Sequence, residues 1–104
     1  AEKAKLGERE VKLLQRQMKA REDEAGAAYK NAETAFLVGE YDKAIEDFNA
    51  SLNVDNRNAN GWAGLGMAYE KQGNRTKASG SYQRALVTDP NNPVARSGAS
   101  RIKV

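Results

Sequence analysis

An all-α solenoid, made of antiparallel helix pairs stacked side by side, is the fold this sequence predicts. Three observations predict it. Apolar residues recur at spacings of three and four, which gathers their side chains on one face of a helix. No stretch alternates polar and apolar residues in the way a half-buried strand would. Residues 25–58 laid over residues 59–92 give seven identities: Ala25/Ala59, Gly39/Gly73, Lys43/Lys77, Ala44/Ala78, Leu52/Leu86, Asp55/Asp89 and Asn58/Asn92, with Phe48 over Tyr82 as an aromatic match. A period of this length marks repeats that are each too thin to bury their own apolar face, so neighbours must stack to make a core.

The first expected helix covers residues 3–20. At about 100° per residue, Leu6 and Leu13 nearly coincide and Val11, Leu14 and Met18 cluster beside them, an apolar arc of about 160°. That is wider than a coiled-coil seam. A heptad reading, with Ala4, Val11 and Met18 in one register and Leu14 in the other, is interrupted by Gly7 and Arg21. Carried backwards, the repeat register sets Val11, Leu14 and Met18 where Ile45, Phe48 and Leu52 stand. The helix is therefore expected to cap the open side of the next one, in the manner of a preceding repeat's second helix. The alternative is a free helix that pairs with a second copy. Arg21-Glu22-Asp23-Glu24 reads as a junction whose acids favour the N-terminus of a new helix.

That second helix is expected over residues 24–37, ending before Gly39, and a third over 41–53 carries Ala44, Ile45, Phe48 and Leu52. A fourth, over 59–72, sets Trp62, Leu65 and Tyr69 on one face, with Gly66 beside them so that a neighbouring backbone can approach. It stops at Gln72-Gly73-Asn74, where glycine suits a left-handed C-terminal cap and Asn74 can cap the next helix through its side-chain oxygen. A fifth over 75–88 places Ala78, Tyr82, Ala85 and Leu86 at the same spacing. Thr88-Asp89-Pro90-Asn91-Asn92 breaks the pattern, and Pro93 opens a short last helix to about residue 102, with Asn92 as its cap.

The second copy reads Trp62-x2-Leu65-Gly66-x2-Tyr69, then Gly73, Ala78, Tyr82, Ala85-Leu86 and Asp89-Pro90. This resembles the tetratricopeptide repeat, with Tyr82 where Phe is usual. The first copy follows the second half of the pattern through Gly39, Tyr41, Ala44, Ile45, Phe48, Leu52 and Asp55. Its leading helix departs from it, with Ala28, Asn31 and Ala35 at the places of Trp, Leu and Tyr, and Asn56 stands in place of Pro. The resemblance implies a right-handed superhelix organised as an N-terminal helix (1–24), repeats at 25–58 and 59–92, and a closing helix or shortened third repeat (93–104).

Composition bounds the function. With no Cys and no His, the chain lacks disulfides, thiolate nucleophiles, imidazole bases and the best zinc ligands. No catalysis, cofactor or metal is expected. Asp42, Glu46 and Asp47 lack the loop glycine and ligand spacing of a calcium motif and read as a solvated face. The net charge is +3, but it is uneven: residues 25–58 carry 3 basic and 6 acidic side chains, and residues 93–104 carry 3 basic and none acidic. Basic residues are otherwise interleaved with acids, which argues against nucleic acid as the partner. No apolar run approaches the roughly 18 residues of a membrane span. Without an initiating Met, the chain reads as a piece of a longer or processed protein.

The resemblance implies a binding surface, because the first helix of each repeat lines the concave side, where extended or helical peptides dock. On these positions the groove residues would be Tyr29, Glu33 and Phe36, with Leu37, from the first repeat, and Asn60, Met67 and Glu70, with Ala63 and Lys71, from the second. Arg101, with Val94 and Ser97, would follow. Tyr29, Phe36 and Met67 would supply apolar contact, and Asn60 could bond a peptide backbone in both directions. Phe36 and Leu37 have an equal claim as packing residues for a helix otherwise short of large side chains. Some members of the family grip a C-terminal carboxylate with Lys, Asn and Arg at fixed lining positions. Here those places hold Tyr29, Glu33, Gly64, Val94 and Gly98, so that clamp is not expected. The function that follows is a non-catalytic interaction module for a protein or peptide partner, with homo-oligomerisation through the N-terminal helix or an open end as the alternative.

Overall fold

The computed structural model describes residues 2–102, with side chains from Gly7 onward. Among them, five helices follow in order: α1 (Glu2–Leu37), α2 (Tyr41–Val54), α3 (Ala59–Lys71), α4 (Arg75–Thr88) and α5 (Pro93–Arg101). Each packs on the next, and α3 also meets α5 and touches α1. The result is two antiparallel hairpins and a final helix stacked in sequence, an all-α solenoid.

The first departure from expectation is α1. It is one helix of 36 residues, not two meeting at Arg21–Glu24. No residue there breaks a helix as proline does: Arg21, Glu22 and Glu24 are good helix formers, Asp23 is only mildly unfavourable, and Gly26 costs only about 1 kcal/mol. Its C-terminal part pairs with α2 while the rest projects beyond the hairpin. The molecule therefore measures 60 × 27 × 18 Å with a radius of gyration of 17.1 Å, against about 13 Å for a compact domain of this size. An unbroken helix cannot fold back on itself, so among the described residues those before Glu24 do not form the cap expected from residues 1–24. Val11, Leu13, Leu14 and Met18 remain 50–58% exposed. Ala4 and Leu6 lie outside the described side chains.

The two hairpins are closed by the same turn. Gly39 and Gly73 have φ of 83° and 81°, the left-handed region where only glycine carries no steric cost. The amides of Glu40 and Asn74 then reach back to the carbonyls of Ala35 (2.8 Å) and Tyr69 (2.9 Å). Asn58, Asn74 and Asn92 cap α3, α4 and α5 by accepting from the amides of Gly61, Lys77 and Ala95 at 3.1, 3.2 and 3.0 Å. Each satisfies a donor that the first turn of a helix leaves unpaired.

Packing follows the repeat. Ala32, Ala35, Ala44, Phe48, Leu52, Leu65 and Ala68 form one buried cluster, and Ala63, Ala78, Tyr82, Ala85, Ala95 and Ile102 the other. Alanine at so many contacts brings helix axes close, and each cluster is then filled by one large ring. Phe48 lies on Gly64, where a Cβ would come within 2.5 Å of the ring. Tyr82 lies between Gly66, where a Cβ would meet it at 2.7 Å, and Gly98, where a Cβ would overlap it outright. Gly66 thus admits an aromatic ring rather than the backbone that its place on the helix suggested. Ser51 donates from Oγ to the Ala25 carbonyl at 2.8 Å and fastens the end of α2 to the middle of α1. Leu37 does not pack inward, being 82% exposed, whereas Phe36 is half-buried and meets Tyr41 edge-on at 5.4 Å.

Candidate functional site

The first helices of the stack, α1, α3 and α5, share one side of the molecule, and a groove runs across them. Its deeper part is a cleft of about 260 Å³ walled by Tyr29, Glu33 and Phe36 of α1, Asn60 and Met67 of α3, and Val94 of α5, with Phe48 and Gly64 at its floor. The floor is low because Gly64 has no side chain, so the Phe48 ring of α2 comes through to the groove side. A second hollow continues past Phe36 and Met67 to Glu70, Lys71 and Arg101. The seven residues nominated from the sequence are thereby set along one surface, five on the cleft and two at its far end.

Their environments differ. Tyr29 stands edge-on to Phe48 at 5.9 Å, and burial, then the neighbouring Glu33 carboxylate, push its hydroxyl above the ordinary tyrosine range, so it stays a neutral donor. Glu33 is exposed, leaving an acidic group at the cleft's rim. Asn60 spends its Oδ1 on the Nδ2 of Asn92 at 2.8 Å. That bond engages one of the two lone pairs of the oxygen and leaves the amide N–H groups of Asn60 without a partner among the described residues. Half-buried Met67 provides a deformable wall.

Glu70 and Arg101 are not free either. Arg101 donates from Nη2 to Oε1 of Glu70 at 3.0 Å and from Nε to Oε2 at 3.3 Å, and the Tyr82 hydroxyl donates to the same Oε1 at 2.6 Å. The Arg101 hydrogen bond lowers the Glu70 pKa first, with burial opposing and Tyr82 assisting, while burial and then Glu70 raise that of Tyr82. The trio ties α3, α4 and α5 together at the end of the groove. Sequence reasoning assigned Glu70 and Arg101 to ligand contact and missed this tie, because a tyrosine at a core position signals burial without showing where its hydroxyl ends. It also missed the floor residues Phe48 and Gly64. Their signal was present: Gly64 and Gly98 fall one repeat apart, each beneath the ring of the helix before.

Among the described residues, no cluster of acidic side chains could hold a metal ion and no helix is long and apolar enough to cross a membrane.

Stacked hairpins with leading helices along a common groove define a helical-repeat interaction domain. A family model described as TPR repeat matches residues 36–73, and one described as Tetratricopeptide repeat matches residues 59–92. The chain belongs to the tetratricopeptide repeat family, whose members are in general non-catalytic protein-interaction modules. It is 38% identical over 55 residues to Protein bimA of Emericella nidulans, covering 53% of this chain and 7% of that protein. It is 42% identical over 55 residues to Anaphase-promoting complex subunit 3 of Schizosaccharomyces pombe, covering 53% and 8%. The chain thus spans less than a tenth of either relative. Among solved structures, the second TPR of Spaghetti (RPAP3), bound to the HSP90 peptide SRMEEVD, superposes with a TM-score of 0.80 at 22% identity, over 85% of this chain and 81% of that one. The second TPR domain of human RPAP3, in complex with the HSP70 peptide SGPTIEEVD, gives 0.73 at 22% identity over 77% and 67%. At such identity the likeness is one of fold.

Proposed function

We propose that this chain binds a peptide segment of a partner protein in the groove across α1, α3 and α5. The observation that carries the reading is the cleft itself. Tyr29, Phe36, Met67 and Val94 present apolar surface around a floor made of Phe48 and Gly64, and a few such anchors supply most of the energy of a peptide interface. The Tyr29 hydroxyl and the Asn60 amide provide donors for peptide carbonyls along the wall.

Charge then selects the peptide. The acid at the cleft is Glu33, and the arginine at the far end, Arg101, is already paired with Glu70. An acidic tail of the kind seen in the two superposed domains meets repulsion at Glu33 and little compensation beyond Lys71. A neutral or basic apolar segment suits the groove better.

The test is a peptide-display selection on the intact chain, followed by titration of the best sequence and of SRMEEVD against wild type, Phe36→Ala and Met67→Ala. Selected sequences rich in apolar residues with Lys or Arg, weakened about tenfold or more by either substitution, support the reading. Selection of acidic tails, or binding indifferent to both substitutions, overturns it.

A further inference from the structure

The projecting part of α1 carries a second, separate surface. Ala25, Ala28, Ala32 and Ala35 form the stripe of α1 that α2 covers: Ala25, Ala32 and Ala35 are buried and Ala28 half-buried. They alternate at steps of three and four, a seven-residue repeat. Continued toward the N-terminus along the same unbroken helix, that repeat runs through Arg21, Met18, Leu14 and Val11. The last three are 58, 55 and 50% exposed. They extend an interface that α2 has already formed and that ends only because α2 stops at Val54. A notch of about 270 Å³ between Met18, Arg21 and Glu22 and the end of α2 with the loop after it (Asn53 to Arg57) marks where a further helix would abut.

The flanks of this seam specify its occupant. At about 100° per residue, Glu22, Gln15 and Glu8 border it on one side, with Lys19 just outside them, and Glu10 and Gln17 border it on the other, while Arg9, Lys12 and Arg16 lie on the far face with the exposed Leu13. Arg21 stands on the seam where it meets α2 and closes it. Acids beside an apolar heptad stripe recruit a partner with basic residues at the matching positions. A second copy would set these same acids and glutamines against one another and gain no attraction. The geometry points to a docking site for an amphipathic helix of another protein, one whose own apolar seam is bordered by Lys or Arg. It lies along residues 8–22 in line with α2, on a surface independent of the groove.

The probes are two synthetic three-heptad peptides with the same leucine seam, one flanked by lysine and one by glutamate, titrated against the whole chain by fluorescence anisotropy at low and moderate salt. The lysine-flanked peptide is expected to bind at least about tenfold more tightly, with the advantage shrinking as salt rises. Leu14→Asp, at a site that touches no core, removes most of that binding. The double variant Glu10→Lys/Glu22→Lys reverses the preference toward the glutamate-flanked peptide, a result that neither misfolding nor nonspecific stickiness produces. Equal binding of both peptides, no binding of either, or a chain that sediments as a dimer dispersed by Leu14→Asp overturns the proposal. A groove peptide insensitive to Leu14→Asp is expected alongside.

Discussion

The two hairpins have the same backbone and different fastenings. Glu40 and Asn74 occupy equivalent turn positions with nearly the same dihedrals, −85°/73° and −90°/81°, but Asn74 caps its helix through the side chain and Glu40 makes no such bond. Phe48 and Tyr82 fill equivalent sites against glycine, but only Tyr82 has a hydroxyl, which it uses to reach Glu70 and through it Arg101. Among the described residues, the side-chain hydrogen bond that joins α1 to α2 in the first hairpin is Ser51 to Ala25, and the rest of that contact is apolar packing. Backbone geometry is thus set by the glycines and the repeat length, while stability is distributed by side chains that vary between copies. The less fastened copy is also the one that supplies Tyr29, Glu33 and Phe36 to the groove.

Removing the rings tests this most severely. Phe48→Ala and Tyr82→Ala should each cost about 3–5 kcal/mol in urea unfolding, with Tyr82→Ala the greater because it also removes the hydrogen bond from α4 to Glu70. A larger loss at Phe48 would reverse the ranking of the two copies. Next come the slots. Gly98→Ala and Gly64→Ala should destabilise by about 1–3 kcal/mol through overlap with Tyr82 and Phe48, although alanine is the better helix former. Neutral or stabilising effects would show that the rings are not seated as described.

Smaller effects separate the fastenings. Tyr82→Phe should cost about 1 kcal/mol and leave the fold intact. Because Arg101 depresses the Glu70 pKa, the tie contributes stability that is complete above the usual carboxylate value of 4.5 and is lost as pH falls through the lower folded-state value. Acid titration of Glu70→Gln should lack that part of the decline; an unchanged profile would mean that the trio does not act as a unit. Among the caps, Asn74→Ala should lose about 1 kcal/mol and Glu40→Asn should gain a similar or smaller amount by supplying the first hairpin with the cap it lacks.

The comparison also explains what could be read in advance. Gly39, Gly73, Asn74, Asn92 and Pro93 act through local backbone chemistry, so the turns and caps were legible, and the apolar spacing around Phe48, Trp62 and Tyr82 sufficed for the stack. The groove residues were legible as positions but not as states. That Asn60 bonds Asn92, or that Glu70 and Arg101 neutralise each other, depends on contacts between helices about 30 residues apart. The junction expected at Arg21–Glu24 is absent: acids that suit a helix N-terminus are also tolerated inside a helix, and no proline stands there to end it. The exposed seam that results is visible only once α1 is known to be straight.

Amide chemical-shift mapping of the intact chain with a groove-selected peptide tests the central claim most directly. Shifts concentrated at Tyr29, Glu33, Phe36, Asn60, Gly64, Met67 and Val94, with residues 8–22 and the outer face of α4 unmoved, are the predicted result. Shifts confined to α4 or to the projecting part of α1 would contradict it.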